Sequence, residues 1–205
     1  TSLAKVLVGV WKPLSGKVRL DGADICQWDK ALLGPSIGYL PQDVELFDGT
    51  IAQNIARFAQ NDSELIVAAA LLAGVHEMIL RLPQGYDTLL GAGGYQLSGG
   101  QRQRIGLARA VYNNPAFIVL DEPNANLDDA GEFALVKAIN TLRTQGQTTV
   151  IISHRPTLLG VVNKVLLLND GAIQEFGTRD QVFAHLRQAN VLKPVATPSP
   201  STTEQ

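Results

Sequence analysis

Leu97-Ser98-Gly99-Gly100-Gln101 opens a predicted helix that runs from Gln101 to about Tyr112. The stretch Phe117-Ile118-Val119-Leu120-Asp121-Glu122 follows that helix. The second stretch is apolar and then ends in two carboxylates, which is typical of a buried strand that presents acids at its tip. A Gly-Gly pair at a helix start leaves backbone N–H groups free and lets an anion approach closely. A strand-end Asp can hold Mg²⁺ while its neighbouring Glu acts on a water. Together the two stretches predict the parts of a nucleotide hydrolase.

The order of these stretches, with Pro123 after Glu122, resembles the nucleotide-binding domain of ABC ATPases. The resemblance covers about residues 1–190. It implies an α/β fold of the P-loop NTPase type, with a mainly parallel sheet and an inserted helical subdomain at about 51–112. The alternation of predicted strands and helices in the middle of the chain also favours a mainly parallel core. Residues 191–205 are rich in Pro, Ser and Thr and are predicted to form a disordered tail.

The composition is that of a globular domain and argues against several classes of protein. The 205 residues suit one domain or most of one, and 18% of them are charged. A formal net charge of −2 gives no electrostatic argument for nucleic acid or an anionic membrane as a partner. The longest apolar run, 65–75, is shorter than the roughly 20 residues of a membrane span. The single Cys26 excludes an internal disulfide and fits a reducing compartment.

Hydrophobic periodicity and turn residues predict the other elements. Apolar spacing predicts helices, short β-branched runs predict strands, and Asp170-Gly171 predicts a hairpin turn. The predicted elements are a helix at 1–10, strands at 17–20 and 37–40, helical structure at 51–82, a Gly-rich loop at 85–95, a helix at 129–144, strands at 148–152, 165–168 and 172–176, and a last helix that begins at a Thr178–Gln181 capping box and runs to about 190.

The chain begins at Thr1 and enters an apolar-periodic helix at once. A P-loop needs Gly-x-x-x-x-Gly-Lys just before the Ser or Thr that opens such a helix. We therefore expect a fragment cut inside this motif, which by itself hydrolyses ATP negligibly. The resemblance then makes the hydroxyl of Thr1 a Mg²⁺ ligand and places Ser2 beside it at the nucleotide. The alternative role of Thr1 is to cap the helix.

The resemblance assigns further ATP contacts to a loop glutamine and to the LSGGQ signature. Gln42, which follows the strand at 37–40, matches the Q-loop residue that contacts Mg²⁺ and the attacking water. The stretch Ser98-Gly99-Gly100-Gln101 would bind the γ-phosphate of ATP held by a second copy of the domain. Two chains would thus close head to tail on two nucleotides. The alternatives are a solvated loop glutamine and a Gly-Gly hinge before a helix.

The resemblance also assigns the hydrolytic groups. Asp121 matches the aspartate of the Mg²⁺ site, and Glu122 matches the catalytic base that orients the water and accepts its proton. His154, which follows the strand at 148–152, matches the switch histidine that contacts the γ-phosphate. Asp128 matches the D-loop aspartate that crosses to the partner chain. The alternatives are a solvated strand end for the two acids, a helix N-cap for Asp128 and a structural role for His154.

Further residues resemble exporters in which this domain is fused behind a membrane domain, namely Tyr39-Leu40-Pro41-Gln42-Asp43, Leu46-Phe47-Asp48-Gly49-Thr50-Ile51 and Asn54-Ile55. Two other stretches narrow the resemblance, namely Trp28-Asp29 and Glu122-Pro123-Asn124-Ala125-Asn126-Leu127-Asp128. With them, the chain is most similar to the type I secretion ATPases that export proteases and related proteins from Gram-negative bacteria. One departure is Gly91-Ala92, where exporters usually carry a Gly-Glu pair that contacts the membrane domain.

The resemblance implies an ATP-driven motor at the cytoplasmic face of the bacterial inner membrane. ATP binding would close two domains and hydrolysis would open them. A fused or associated transmembrane domain would export a polypeptide, together with a periplasmic adaptor and an outer-membrane channel. One alternative is the ATPase of another ABC exporter, for lipids, drugs or peptides, or of a stand-alone importer. Two others are a non-transport ABC protein, such as a DNA-repair clamp or translation factor, and a non-catalytic binding module, against which Glu122 and His154 argue.

Overall fold

The computed structural model describes residues 1–60 and 62–188. The chain divides into two compact units, one at Thr1–His154 and the other beginning at Arg155. Within the described part of the chain, none of the helices combines the length and the apolar character that crossing a membrane requires. The predicted tail at 191–205 lies outside the described residues.

The first unit combines short helices and strands with two longer helices, α6 and α7. Its helices are α1 (Ser2–Leu7), α2 (Lys30–Leu33), α3 (Ile51–Ile55), α4 (Ser63–Leu72), α5 (His76–Leu80), α6 (Gly99–Val111) and α7 (Asp129–Thr144). Its strands are β1 (Arg19–Leu20), β2 (Ala23–Asp24), β3 (Ile37–Leu40), β4 (Gly49–Thr50), β5 (Leu89–Leu90), β6 (Phe117–Asp121) and β7 (Thr148–Ile152). Short 3₁₀ turns lie at Ile25–Gln27, Gly34–Ser36 and Gly85–Asp87.

A parallel sheet of three strands lies in the first unit, in the order β3-β6-β7. Leu40 pairs with Leu120, which pairs in turn with Ile151, and both pairings are parallel. The middle strand, β6, is buried at its centre, because Ile118, Val119 and Leu120 are all 0% exposed. The prediction of an α/β fold with a mainly parallel core is confirmed, and β3 and β7 have the predicted bounds.

Helices pack on each strand of this sheet. Helix α1 contacts β6, α7 contacts β7, and α6 contacts β3 as well as α3 and α4. Gly38 of β3 permits the approach of α6, because a Cβ at this position would overlap the carbonyl oxygen of Ala110. The close approach of α6 therefore requires a glycine in the strand.

The structure corrects the prediction of continuous helical structure at 51–82, because three separate helices occupy this stretch. Arg57 and Phe58 have positive φ angles of 56° and 58°, which follow the end of α3. Asp62 then caps the start of α4 with its side chain. Gly74, at a φ of 65°, follows the end of α4. The apolar spacing continues across these breaks and does not reveal them.

Three other predictions differ from the structure, and in two of them a turn makes the predicted element shorter. Strand β1 is shorter than predicted and pairs with β2 across Asp21-Gly22, whose φ angles of 49° and 83° are typical of a two-residue hairpin turn. Helix α1 ends before Gly9, which has a φ of 72°. The predicted Gly-rich loop at 85–95 contains β5, which pairs with β4.

Arg57 connects α6 to the segment that leads into β3. Its guanidinium donates hydrogen bonds to the carbonyl oxygens of Gly34 and Ile37, at 3.0 and 2.9 Å. It also donates to the carbonyls of Arg109 and Ala110 in the last turn of α6, at 2.9 and 3.0 Å. These two carbonyls have no partner within the helix, so Arg57 caps α6 through a tertiary contact. Burial lowers the pKa of Arg57, and the positive charge of Arg109 lowers it further.

The described residues of the second unit, 155–188, contain α8 (Pro156–Leu159), β8 (Lys164–Asn169), β9 (Ala172–Thr178) and α9 (Arg179–Gln188). Strands β8 and β9 form an antiparallel hairpin around Asp170-Gly171, which confirms the predicted turn. The predicted capping box is also confirmed, since Gln181 Oε1 accepts the N–H of Thr178 at 3.1 Å and Thr178 Oγ1 accepts the N–H of Gln181 at 3.4 Å.

Candidate nucleotide and metal site

Four predicted site residues follow the carboxyl ends of the parallel strands. Gln42 lies two residues after β3, Asp121 ends β6 and Glu122 follows it, and His154 lies two residues after β7. Because the strands are parallel, their carboxyl ends meet at one edge of the sheet, which is where ligands bind in open α/β folds. Thr1 reaches the same edge, since its side chain contacts Gln42.

Thr1, Gln42 and Asp121 come together at this edge. Thr1 Oγ1 donates a hydrogen bond of 3.1 Å to Gln42 Oε1, and the main-chain nitrogen of Thr1 lies 3.7 Å from Asp121 Oδ1. The Asp121 side chain is fully buried, and within the described residues neither of its oxygens has a hydrogen-bond partner. Such a carboxylate opposes folding unless a cation neutralises it. A carboxylate, a hydroxyl and an amide oxygen are ligands that Mg²⁺ prefers, so these residues fit that ion.

The negative charge of Asp121 also affects a neighbouring side chain at this edge. Tyr39 of β3 has a raised pKa, first because its phenol is buried and second because the negative charge of Asp121 opposes its ionisation. Among residues 1–60 and 62–188, no group of three or more His, Cys, Asp or Glu could hold a metal. Magnesium needs no such cluster, because it is usually bound by one or two carboxylates together with substrate phosphates.

Glu122 and His154 form a contact at the tip of the sheet. His154 Nε2 lies 2.9 Å from Glu122 Oε1, and the histidine side chain is 91% exposed whereas that of Glu122 is 13% exposed. Glu122 has a positive φ of 47°, and its N–H donates to the carbonyl of Ile152 at 2.8 Å. A non-glycine residue in this region of φ is uncommon and persists only where its surroundings hold it. The fold therefore buries Asp121 and aims the next carboxylate at the exposed imidazole.

The signature stretch Ser98-Gly99-Gly100-Gln101 begins α6, two residues earlier than the predicted helix start. Ser98 Oγ accepts the N–H of Gln101 at 3.3 Å, and Gln101 Oε1 accepts the N–H of Ser98 at 2.8 Å, which is a capping box. The box uses the Ser98 hydroxyl only as an acceptor. Its proton is therefore available to an anion at the helix start.

Packing within one chain also requires glycine in the signature. A Cβ at Gly100 would lie 2.7 Å from the carbonyl oxygen of Asn126, and one at Gly99 would lie 3.3 Å from the Asn126 Cβ. The first of these distances is a clash with the backbone. The Gly-Gly pair thus has a structural reason beside the close approach of an anion that the sequence predicts.

Asp128 is an exposed residue at the start of α7. Its Oδ1 accepts the N–H of Gly131 at 2.9 Å, so it caps this helix. The structure therefore shows the capping role for Asp128, and the predicted contact to a partner chain is compatible with it because the side chain is on the surface.

Comparison with known proteins decides the family of the chain. The sequence model of the ABC transporter family matches residues 1–125. The chain belongs to the ABC transporter family. It is similar to the type I secretion system ATP-binding protein PrsD of Rhizobium meliloti, with 53% identity over 96% of this chain and 35% of PrsD. It is also similar to the ATP-dependent lipid A-core flippase of Chromohalobacter salexigens, with 37% identity over 90% of this chain and 32% of the flippase.

A solved structure agrees with this assignment. The ABC chain is similar to a bacterial Atm1-family ABC exporter with ATP bound, with a TM-score of 0.80, 30% identity and coverage of 94% of this chain and 35% of that one. The chain therefore spans about a third of the length of each of these relatives.

Among the buried polar residues of this ABC chain are two near Glu122 to which the sequence analysis assigned no individual role. Gln103 of α6 is 2% exposed, and its Nε2 donates to the carbonyl oxygens of Glu122 and Pro123 at 3.4 and 3.3 Å. Asn124 is 3% exposed and accepts a hydrogen bond of 3.1 Å from Ser153 Oγ. A polar residue on the apolar face of a helix is unusual and needs a partner, which is the signal that could have identified Gln103.

Proposed function

We propose that this chain is the ATP-binding and ATP-hydrolysing motor of an ABC exporter that drives type I protein secretion. The observation that carries ATP hydrolysis is a buried Asp121, which receives no hydrogen bond from residues 1–60 or 62–188, next to a Glu122 that contacts His154. Protein secretion is supported by the 53% identity to PrsD. Because the chain covers only 35% of PrsD, we propose a longer protein in which it forms the ATP-binding part.

Thr1, Gln42 and Asp121 would hold Mg²⁺ through a hydroxyl, an amide oxygen and a carboxylate, which are the groups gathered at the sheet edge. When bound with ATP, the ion would neutralise charge on the phosphates. The ion would also stabilise the carboxylate of Asp121, because the buried negative charge would then have a cation beside it. Ser2, the first residue of α1, would place a second hydroxyl near the phosphates.

Glu122 would accept the proton of the attacking water. Its carboxylate is largely buried and is held by His154 at 2.9 Å, so it has a defined orientation. A positioned general base contributes about 10²–10⁴-fold to a rate. The exposed imidazole of His154 would contact the γ-phosphate from the solvent side, and the neutral amide of Gln42 would orient the same water.

A second copy of the chain would complete each ATP site in a head-to-tail dimer. The Ser98 hydroxyl and the backbone N–H groups of Gly99 and Gly100 would bind the γ-phosphate of ATP held by the partner chain. The capping box supports this role, because it leaves the hydroxyl proton of Ser98 available. Gln101 would maintain the box, and the exposed Asp128 would contact the partner chain while it caps α7.

We propose that the motor works at the cytoplasmic face of the bacterial inner membrane. Its partners would be a fused or associated transmembrane domain, a periplasmic adaptor and an outer-membrane channel. A second candidate function is export of a different cargo, which the 37% identity to a lipid A-core flippase favours. Ala92 after Gly91 would remove the acidic contact to the membrane domain that exporters usually make there.

Glu122→Gln in the full-length protein tests the hydrolytic assignment. We expect ATP turnover to fall by at least about 10²-fold, because the amide keeps the shape of the carboxylate but accepts no proton. ATP-driven dimerisation should persist. The matched control is Glu77→Gln at an exposed position of α5, which should leave turnover unchanged. Near-normal turnover of the Glu122→Gln protein would remove Glu122 from the role of base.

Deletion of the gene in its host bacterium tests the cargo. We expect at least one protein to disappear from the culture medium, and the wild-type gene but not its Glu122→Gln variant should restore it. An unchanged set of secreted proteins with altered outer-membrane lipids would favour the second candidate.

A further inference from the structure

We propose that Gln103 is a positioning residue for Glu122, through which α6 controls the orientation of the catalytic carboxylate. This inference rests on the proposed function. It starts from two contacts between α6 and the loop after β6. Gly99 and Gly100 pack against Asn126, and one turn further along the helix Gln103 bonds to the carbonyls of Glu122 and Pro123.

The backbone of Glu122 needs external support. Its φ of 47° is unfavourable for a residue with a Cβ, so neighbouring groups must hold it. The N–H of Glu122 donates to Ile152 at 2.8 Å, and its carbonyl accepts from the N–H of Ala125 at 3.0 Å. Gln103 of α6 also donates a hydrogen bond to the carbonyl oxygen of Glu122, with 3.4 Å between Nε2 and the oxygen. The side chain of Glu122 thus projects from a backbone that bonds to β7, to α6 and to the next residues of its own loop.

Gln103 is suited to this task because its amide is buried and bonded. The residue is 2% exposed, and its Nε2 donates to two successive carbonyls, those of Glu122 and Pro123. Because Gln103 is buried, water would not readily replace its amide as a donor to the two carbonyls if the amide were lost. The backbone would then relax at the residue that carries the catalytic carboxylate.

The position of Gln103 in α6 gives the contact a consequence for the dimer. Helix α6 is a 13-residue helix that begins with the stretch proposed to bind the partner's nucleotide, and Gln103 lies in its second turn. A helix of this length moves as a rigid rod over so short a distance. A shift at Ser98 on nucleotide binding would therefore reach the backbone of Glu122 in the same chain. One ATP site would thus influence hydrolysis at the other through Gln103.

The test uses Gln103→Met in the full-length protein, because methionine has a similar length but donates no hydrogen bond. We expect kcat for ATP to fall about tenfold or more, with KM within about twofold, since the loss concerns the transition state rather than ground-state binding. ATP-driven dimerisation should persist. Hydrogen exchange of the segment 120–126 should become faster, which reports the relaxed backbone directly.

The matched control is Ile105→Ala, which removes a fully buried side chain from the same helix. It should lower the melting temperature at least as much as Gln103→Met while it leaves kcat and exchange at 120–126 close to wild type. A Gln103→Met protein whose kcat falls only in proportion to its melting temperature, as in the control, would overturn the inference. So would a raised KM with unchanged kcat. If Gln103→Met does not fold, Gln103→Leu provides the same comparison.

The two proposals fail in different ways. Turnover that survives Glu122→Gln would refute the hydrolytic assignment whatever Gln103 does. An inactive Glu122→Gln protein beside a fully active Gln103→Met protein would refute only the positioning role.

Discussion

Arg57→Met tests how the helical segment after residue 51 is joined to the sheet. Methionine keeps most of the side-chain stem and removes the guanidinium, which serves four carbonyl oxygens at 2.9 to 3.0 Å. A hydrogen bond from a charged donor is worth about 1.5–3 kcal/mol, so four of them set an upper limit of about 6–12 kcal/mol. Burial of the charge, which lowers the pKa of Arg57, offsets part of this sum. Water can also replace the exposed bond to Gly34.

We therefore expect Arg57→Met to lower the free energy of unfolding by about 3–5 kcal/mol, which lies below this upper limit and is similar to the cost of removing one partner of a buried ion pair. Equilibrium urea unfolding, followed by circular dichroism, measures the loss. Arg57→Lys keeps the charge but lacks the planar fork of donors, so it should recover only part of the stability.

Arg81→Met is the control, because Arg81 is an exposed arginine. It should change the free energy of unfolding by less than about 0.5 kcal/mol. A loss below about 1 kcal/mol for Arg57→Met would refute the reasoning, because the carbonyls would then be satisfied without the guanidinium.

Three further predictions concern the site and its neighbourhood. Gly100→Ala places a Cβ 2.7 Å from the carbonyl oxygen of Asn126 and should cost about 1–3 kcal/mol in thermal unfolding and weaken ATP-driven dimerisation. Gly34→Ala, whose Cβ would have no atom of the described residues within 4 Å, should change neither property. Asp121→Asn should raise the melting temperature of the metal-free protein, because the buried carboxylate finds no hydrogen-bond donor in the described part of the chain and therefore opposes folding. Calorimetry should show the loss of Mg²⁺-dependent ATP binding, and a lower melting temperature would contradict this account. Asn54→Leu removes three part-buried hydrogen bonds to main-chain groups and should lower the unfolding free energy by about 2–4 kcal/mol in urea titrations. A neutral effect would show that water replaces those bonds.

Elements whose boundaries depend on neighbouring residues were predictable from the sequence. Helix α7 has the predicted bounds because Asp128 caps its start and Gly146, at a φ of 82°, follows its end. The hairpin of the second unit was predictable for the same reason, since Asp170-Gly171 favours its turn whatever surrounds it. Strand β7 is a β-branched run and also has the predicted bounds.

The stretch at 51–82 was not predictable in detail because its breaks depend on distant groups. Arg57 has a positive φ in a run of helix-forming residues, and its guanidinium meets carbonyls from α6 and from the segment before β3. No local sequence pattern around Arg57 predicts hydrogen bonds to these distant carbonyls. The same limit applies to Gln103, whose polar side chain lies in α6 but whose acceptors lie after β6.

The sequence by itself determined the family, the parallel α/β core and the candidate residues at the strand ends, because strand periodicity and the LSGGQ and Asp-Glu stretches are local patterns. Only the tertiary structure decided which of these residues meet. It brought Thr1 to Gln42 and Asp121, and Glu122 to His154. It also brought the amide of Gln103 in α6 to the main-chain carbonyl of Glu122. The physical reason is that hydrogen-bond partners and buried charges are set by segments far apart in the chain, which meet only when the sheet and its helices pack.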